Sequence, residues 1–374
     1  MKNMSSDSSQ PAKVAIIGGG VAALEAMLAL DALSYNEADV HLFSPEPGFM
    51  LKSLAVSTGF GRSEPTTYDL SSLAATAGAS FHQLSVSEVD TKNRLLRLSD
   101  DAEFGYDYLI ASPGTKSIWS VPGATPYWGP AGNQAVVEAL AGLRGRKEAR
   151  VIVTMPGSGS WPLPLYELAL LISAELDPAA SISIVTPESS PLGLFGKTSA
   201  GKVATLLGDL GIEILLETAP AEFGDGTLTT TNGRSLEADL VLTLPVLEGR
   251  PIPGLPSNEQ GFIPVDEFGR IEGHTREYAA GDVTSFPVKF GGLATEQADV
   301  AAQAIAASAW GAPAPKPFEP VYHGTLVTPD GLIGLGRGAE DSSAYEWDPA
   351  EKVQGKYLTR FLKTADPAVL GPQD

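Results

Sequence analysis

The chain is predicted to be an α/β protein built on two Rossmann-like units, with a small α+β segment at its C-terminal end. Three observations carry this. Two distant stretches, beginning at Lys13 and Arg150, each read as strand, glycine-rich turn, helix and strand. After Pro264 the pattern changes to Tyr278-Ala279-Ala280-Gly281-Asp282 followed by a long Ala-rich helix. That last stretch is assigned back to the first unit, so the first unit is discontinuous in sequence.

Residues 1–12 are polar and Ser-rich, lack the apolar stretch of a secretory signal, and are expected to form a flexible tail on a cytoplasmic chain. The first unit then reads as a strand over 14–17, a helix to 33 and an alternating strand over 40–43. Strand candidates follow over 81–89 and 94–98, and 106–111 is a buried apolar strand before the Pro113-Gly114 break. The second unit has a strand over 151–154, a helix over about 164–175, and strands over 181–186 and 239–244. The Ala-rich helix of the returning segment covers about 293–307. A Pro-rich linker over 312–320 leads to strand candidates over 321–327 and 332–335. A last helix starts at an Asp348 N-cap with Pro349 and Glu351 behind it, and puts Val353, Tyr357, Leu358, Phe361 and Leu362 on one face. The expected domains are therefore 13–115 with 265–311, then 116–264, then a C-terminal region over 312–374.

Composition narrows the chemistry. Among 374 residues, 43% are apolar and 19% charged, as in an ordinary well-cored globule. The net charge of -20 repels phosphate backbones and removes the counterion-release source of nucleic-acid affinity. No cysteine occurs, which excludes disulfides, thiolate metal sites, cysteine nucleophiles and redox-active dithiols. His41, His82, His274 and His323 are scattered without ligand spacing, so no metal site is expected. No apolar run reaches the roughly 20 residues of a membrane-spanning helix.

The most informative motif is Gly18-Gly19-Gly20-Val21-Ala22-Ala23, which fits G-x-G-x-x-A between a strand and a helix. There Gly18 and Gly20 permit a tight turn and close backbone approach to a pyrophosphate, and Val21 and Ala22 open a helix whose N-terminus favours negative charge. The acid that should end the second strand and bind ribose is replaced by Ser44, and Glu46 two residues later is the substitute candidate.

Together with two further segments, this turn resembles the two-dinucleotide-binding-domain flavoproteins of the pyridine nucleotide-disulfide oxidoreductase superfamily. Tyr106-Asp107-Tyr108-Leu109-Ile110-Ala111-Ser112-Pro113-Gly114 is similar to the stretch that approaches FAD where the two domains meet. Tyr278-Ala279-Ala280-Gly281-Asp282-Val283 resembles the second FAD motif. The resemblance implies that Asp282 accepts a hydrogen bond from the ribityl chain. It also implies that the helix opened by Gly292 and Leu293 points its positive end at the flavin, and it adds Val86, Ser112, Pro113, Gly114 and Gly281 to the FAD-binding set. Lys289 would strengthen the positive field there, unless it is simply a solvated lysine.

Within the superfamily, Trp161-Pro162-Leu163-Pro164-Leu165-Tyr166-Glu167-Leu168-Ala169 resembles a segment of the sulfide:quinone oxidoreductase and type II NADH dehydrogenase branch. Sulfide oxidation and disulfide reduction both need cysteines and are excluded here. The second glycine turn contains Gly157 and Gly159, but Trp161 and Pro162 stand where an NAD(P)H-binding turn would run into its helix. Gly157, Gly159, Trp161 and Glu188 are the candidates for a second nucleotide or substrate pocket, with NAD(P)H binding left open. Glu167 is either a flavin-side residue or an acid that favours the helix dipole. In the C-terminal region, Tyr345, Trp347 and the basic Lys352, Lys356, Arg360 and Lys363 fit a helix packed on the core or on a second subunit, with peripheral membrane contact as the alternative.

The expectation is thus an FAD-dependent oxidoreductase that passes electrons from a donor, NAD(P)H being one candidate, to a quinone or other small acceptor. The alternative is an FAD-bound electron-transfer or assembly partner without nicotinamide-dependent turnover.

Overall fold

A computed structural model describes residues 11–34, 37–63, 66–157, 161–336, 355–365 and 367. Two five-stranded sheets, each parallel throughout, dominate it. The first has the order Glu277–Ala279, Tyr108–Ala111, Ala12–Ile17, Ala38–Phe43, Ser80–His82. The second has the order Thr125–Pro126, Leu240–Thr243, Arg150–Thr154, Ser181–Val185, Glu213–Leu215. The chain thus leaves the first sheet after Ala111, builds the second, and returns to complete the first.

The strand sequences explain this architecture. Tyr108–Ala111 and Leu240–Thr243 are buried at every position, as strands covered on both faces must be. One face of the first sheet is covered by the helices Val21–Ser34 and Gly291–Trp310. Both are rich in alanine, a strong helix former with a small side chain, so the two can pack closely. Ala22, Ala26, Ala294, Ala298 and Ala301 belong to their shared core. On the other face, Phe43, Leu109 and Ile17 pack against Val89, Leu96 and Leu98 of the antiparallel sheet Val86–Asp90, Leu95–Leu98, Glu103–Gly105.

The second core is not confined to the second sheet. Val56, from the short helix Ala55–Gly59 that follows the second strand of the first sheet, is buried in it. Asn133 Nδ2 holds the Ala55 carbonyl at 2.8 Å. Leu326, Val327 and Leu335 of the hairpin His323–Thr328, Gly331–Gly336 join the same core.

Two expectations change at their edges. The Ala-rich helix runs over Gly291–Trp310, longer at both ends than 293–307, and Gly311 ends it in a left-handed conformation with φ +70°. Among the described residues the final helix covers Leu358–Leu362, and Gly355 to Tyr357 are not helical. Its N-terminus is set by Glu25 of the first helix, whose carboxylate accepts the amides of Tyr357 at 3.0 Å and Leu358 at 2.8 Å. Asp348, Pro349, Glu351 and Val353 lie outside the described residues. Leu358 is buried, and Tyr357, Phe361 and Leu362 pack on the first core as the apolar face predicts. Lys356 pairs with Asp299 at 3.4 Å.

Candidate functional site

Parallel strands deliver their carboxyl ends to one edge of a sheet, where ligands of such folds bind. At that edge the structure joins the three segments singled out above. The Gly18 amide donates to the Phe43 carbonyl at 2.8 Å, and the Ser112 amide and hydroxyl donate to the Ile17 carbonyl at 2.7 and 3.0 Å. Gly18 has φ +123°, and a Cβ there would lie 2.2 Å from the Ser112 carbonyl oxygen, so no other residue fits. Gly281 has φ +80°, and a Cβ would come 2.9 Å from that of Ala22. Its amide donates to Gln297 Oε1 at 2.8 Å.

At Gly20 the situation is the reverse. The residue is exposed, and a Cβ built on it meets nothing within 4 Å. Open space therefore lies beside the N-terminus of the helix Val21–Ser34, which carries no acid in its first turn. This cradle of amides fits a pyrophosphate. The helix Gly291–Trp310 likewise starts without a side-chain cap at Phe290, leaving its first amides for another acceptor. Gly292 and Leu293, in its first turn, are buried. Pro113 and Gly114, the latter with φ +71°, carry the chain away from Ser112.

Asp282 follows Gly281 directly. Burial pushes its carboxyl above the ordinary carboxylate range, and the ammonium groups of Lys289 and Lys52 pull the other way. Lys289 is 5% exposed, far from the solvated lysine considered above. Its Nζ donates to the Thr284 carbonyl and sits 4.0 Å from the centroid of the Phe262 ring. Burial brings it down to about 8, with Asp282 opposing. Lys52, on a 3-10 turn over Lys52–Leu54, carries no sequence signal for this place, because only tertiary packing of the following helix brings it near Asp282.

Ser44 is buried, receives the Glu46 amide on its hydroxyl at 3.2 Å and underlies Gly19, while Glu46 is exposed. Val86 opens the antiparallel strand Val86–Asp90 at the fringe of the core beneath the first sheet.

Two of the residues proposed for the second pocket, Trp161 and Glu188, are engaged with other side chains. Gly157 has φ +145° with open space at its Cβ position, and Gly159 lies outside the described residues. Trp161 is 9% exposed, stacks on Phe290 at 4.3 Å with an interplanar angle of 13°, and meets Phe195 edge-on at 5.6 Å. Glu188 accepts the Tyr166 hydroxyl at 2.6 Å and the Thr186 hydroxyl at 3.1 Å, and burial raises its carboxyl above the ordinary range. Glu167 is fully buried on the second turn of the helix Leu163–Glu175, and its Oε1 accepts the Val327 amide at 2.9 Å. It therefore fastens the C-terminal hairpin to this helix. Among the described residues no group of three or more His, Cys, Asp or Glu could hold a metal, and no helix is long and apolar enough to cross a membrane.

The geometry defines two Rossmann-like, dinucleotide-binding-type domains, and the family comparison agrees. Residues 12–308 match the pyridine nucleotide-disulphide oxidoreductase family, and the chain belongs to it. Sulfide:quinone oxidoreductase from Aquifex aeolicus has the same fold, with a TM-score of 0.74 at 19% identity over 86% of each chain. NDH2 from Plasmodium falciparum, in complex with NADH, gives a TM-score of 0.58 at 17% identity over 74% of this chain and 65% of that one. A chain in the mitochondrial ATP synthase of Tetrahymena thermophila gives 0.68 at 14% identity over 96% of this chain and 94% of that one.

Proposed function

We propose that the protein is an FAD-dependent oxidoreductase that passes electrons from a donor to a quinone or other small acceptor. The observation that carries this is the meeting of Gly18, Ser112 and Gly281 at one sheet edge, with an open amide cradle at Gly20 and Asp282 beside it. The glycine turn and the N-terminus of the helix Val21–Ser34 hold the pyrophosphate, and Asp282 takes a hydroxyl of the ribityl chain. FAD supplies the two-electron chemistry when bound. The uncapped N-terminus of the helix Gly291–Trp310 and the Lys289 ammonium provide a positive field for the negative charge that reduction brings. Lys289, near 8, carries that charge at neutral pH and also holds a proton that can be given up in the physiological range.

Purified protein should show a flavin band near roughly 450 nm, bleach with dithionite under anaerobic conditions, and recover its colour on addition of a soluble quinone. A colourless protein that takes up no added FAD would end this reading. The match to a chain of an ATP synthase over nearly its whole length supports a second reading, a flavin-bound assembly or electron-transfer partner. Flavin that is reduced by dithionite but turns over with no donor and acceptor pair would favour it.

A further inference from the structure

The second Rossmann-like unit has the parallel sheet, Gly157 after its first strand and the acid after its second strand that a nicotinamide nucleotide would use. Its side chains have other engagements. A nucleotide bound there needs two things: a free acceptor for ribose hydroxyls, and a path for the nicotinamide to the N-terminus of the helix Gly291–Trp310, the end read above as facing the flavin. This inference rests on that reading.

At the first position, Oε2 of the half-buried Glu188 is taken by two hydroxyls of the protein itself, Tyr166 at 2.6 Å and Thr186 at 3.1 Å. Tyr166 is fully buried on the helix Leu163–Glu175, so its hydroxyl cannot swing aside without disturbing the core. A ribose that displaced it would leave a buried phenol without an acceptor. At the second position, the Trp161 indole lies on Phe290, the residue immediately before the helix Gly291–Trp310. Their centroids are 4.3 Å apart. A third ring inserted between them would need about 7 Å, two aromatic contact distances. Phe195 blocks retreat of the indole on another side, and Gly324 of the C-terminal hairpin is pressed against Phe195, where a Cβ would lie 2.9 Å from the ring.

We propose that this chain excludes nicotinamide nucleotides, with Trp161 and the Tyr166–Glu188 pair as the determinants, and that its electron donor is a non-nucleotide reductant. The second unit then serves as a scaffold that carries the Trp161–Phe290 stack and the C-terminal hairpin.

Isothermal titration of the FAD-loaded protein with NADH and with NADPH tests this, alongside anaerobic mixing that watches the flavin band, with dithionite as the reducing control. The wild type should show no saturable nucleotide binding and no bleaching by either nucleotide, while dithionite bleaches it fully. The double variant Trp161→Ala/Tyr166→Phe should gain at least about tenfold in affinity, worth roughly 1.4 kcal/mol. The single variant Tyr166→Phe keeps the core volume and removes the closer of the two donors to Glu188, so a smaller gain is expected there even if loss of the indole impairs folding. Saturable NADH or NADPH binding to the wild type overturns the proposal. So does a folded, flavin-loaded double variant that binds no better than the wild type. Failure of the flavin reading shows separately, as a protein without a flavin band, because the titration heat reports nucleotide binding whether or not flavin is present.

Discussion

Glu25 Oε2 accepts the amide of Leu358 at 2.8 Å, joining the helix behind the first glycine turn to a helix 333 residues further along the chain. A carboxylate at a helix N-terminus satisfies amides that have no partner within the helix and is favoured by their dipoles. Gly355 completes the contact, because a Cβ there would lie 2.3 Å from Glu25 Oε2.

Glu25→Ala should therefore leave the buried Leu358 amide and the half-buried Tyr357 amide without acceptors and cost about 2 to 3 kcal/mol, while Glu25→Gln keeps an acceptor and should cost less. Burial raises the Glu25 carboxyl above its ordinary 4.5. The folded state thus binds more protons than the unfolded chain in the window just above 4.5, and stability falls as pH rises through that window. Urea denaturation of wild type and Glu25→Gln over this range should show the wild type losing ground as pH rises; parallel curves would mean that the carboxyl does not titrate differently on folding.

At the glycine turn, Gly18→Ala forces a Cβ against the Ser112 carbonyl at a φ that alanine rarely adopts. The variant should lose bound flavin on gel filtration and melt several degrees below wild type, since about 1 kcal/mol already shifts a domain of this size by roughly 2 to 4 °C. Gly20→Ala, with open space around it, should melt like wild type and yet hold flavin less tightly. Equal flavin content in both variants would remove the pyrophosphate from this cradle.

Asp282→Ala should weaken FAD retention without unfolding the protein. The absorbance ratio of the flavin band to the protein band after desalting reads this directly. Asp282→Asn keeps a hydrogen-bonding side chain while removing the charge that opposes the lowering of Lys289, so Lys289 should titrate at a lower pH in that variant. Full flavin retention in Asp282→Ala would move the ribityl contact elsewhere.

Lys289 offers a pH signature of its own. Its folded value of about 8 lies below its ordinary 10.5, so the unfolded chain binds more protons between these values and stability rises with pH across them. Against a Lys289→Met variant, the cofactor-free wild type should gain about 3 kcal/mol between the two ends of the window. A difference that stays flat from about pH 8 to about 10.5 would show that the ammonium is solvated after all.

The parts of this molecule that were readable in the sequence are those whose causes are local. Gly18 and Gly281 are demanded by backbone conformation and by one close neighbour each, and both announce themselves beside a strand. The apolar strands around Ile110 and Val241 show through their uninterrupted burial. Glu188 shows the limit of that approach. An acid after the second strand of a Rossmann-like unit looks the same whether it serves a ribose or a tyrosine, and only the fold brings Tyr166 to it. The start of the helix at Leu358 has no local signal of this kind, because the carboxylate that accepts its amide belongs to Glu25, far away in sequence. Lys52 is silent in the sequence for a similar reason, since its place near Asp282 depends on Val56 seating in the core of the other unit.

The interleaving of the two sheets also has a consequence in time. Tyr108–Ala111 leaves the ribosome early, but Glu277–Ala279, the strand that pairs with it, is made only after the whole second sheet. At ordinary elongation rates the delay is on the order of ten seconds or more. Through that interval an apolar strand stands as an open edge, ready to pair with any extended segment nearby. The nascent chain is thus most exposed to mispairing midway through its synthesis, and the hazard closes when the returning segment docks.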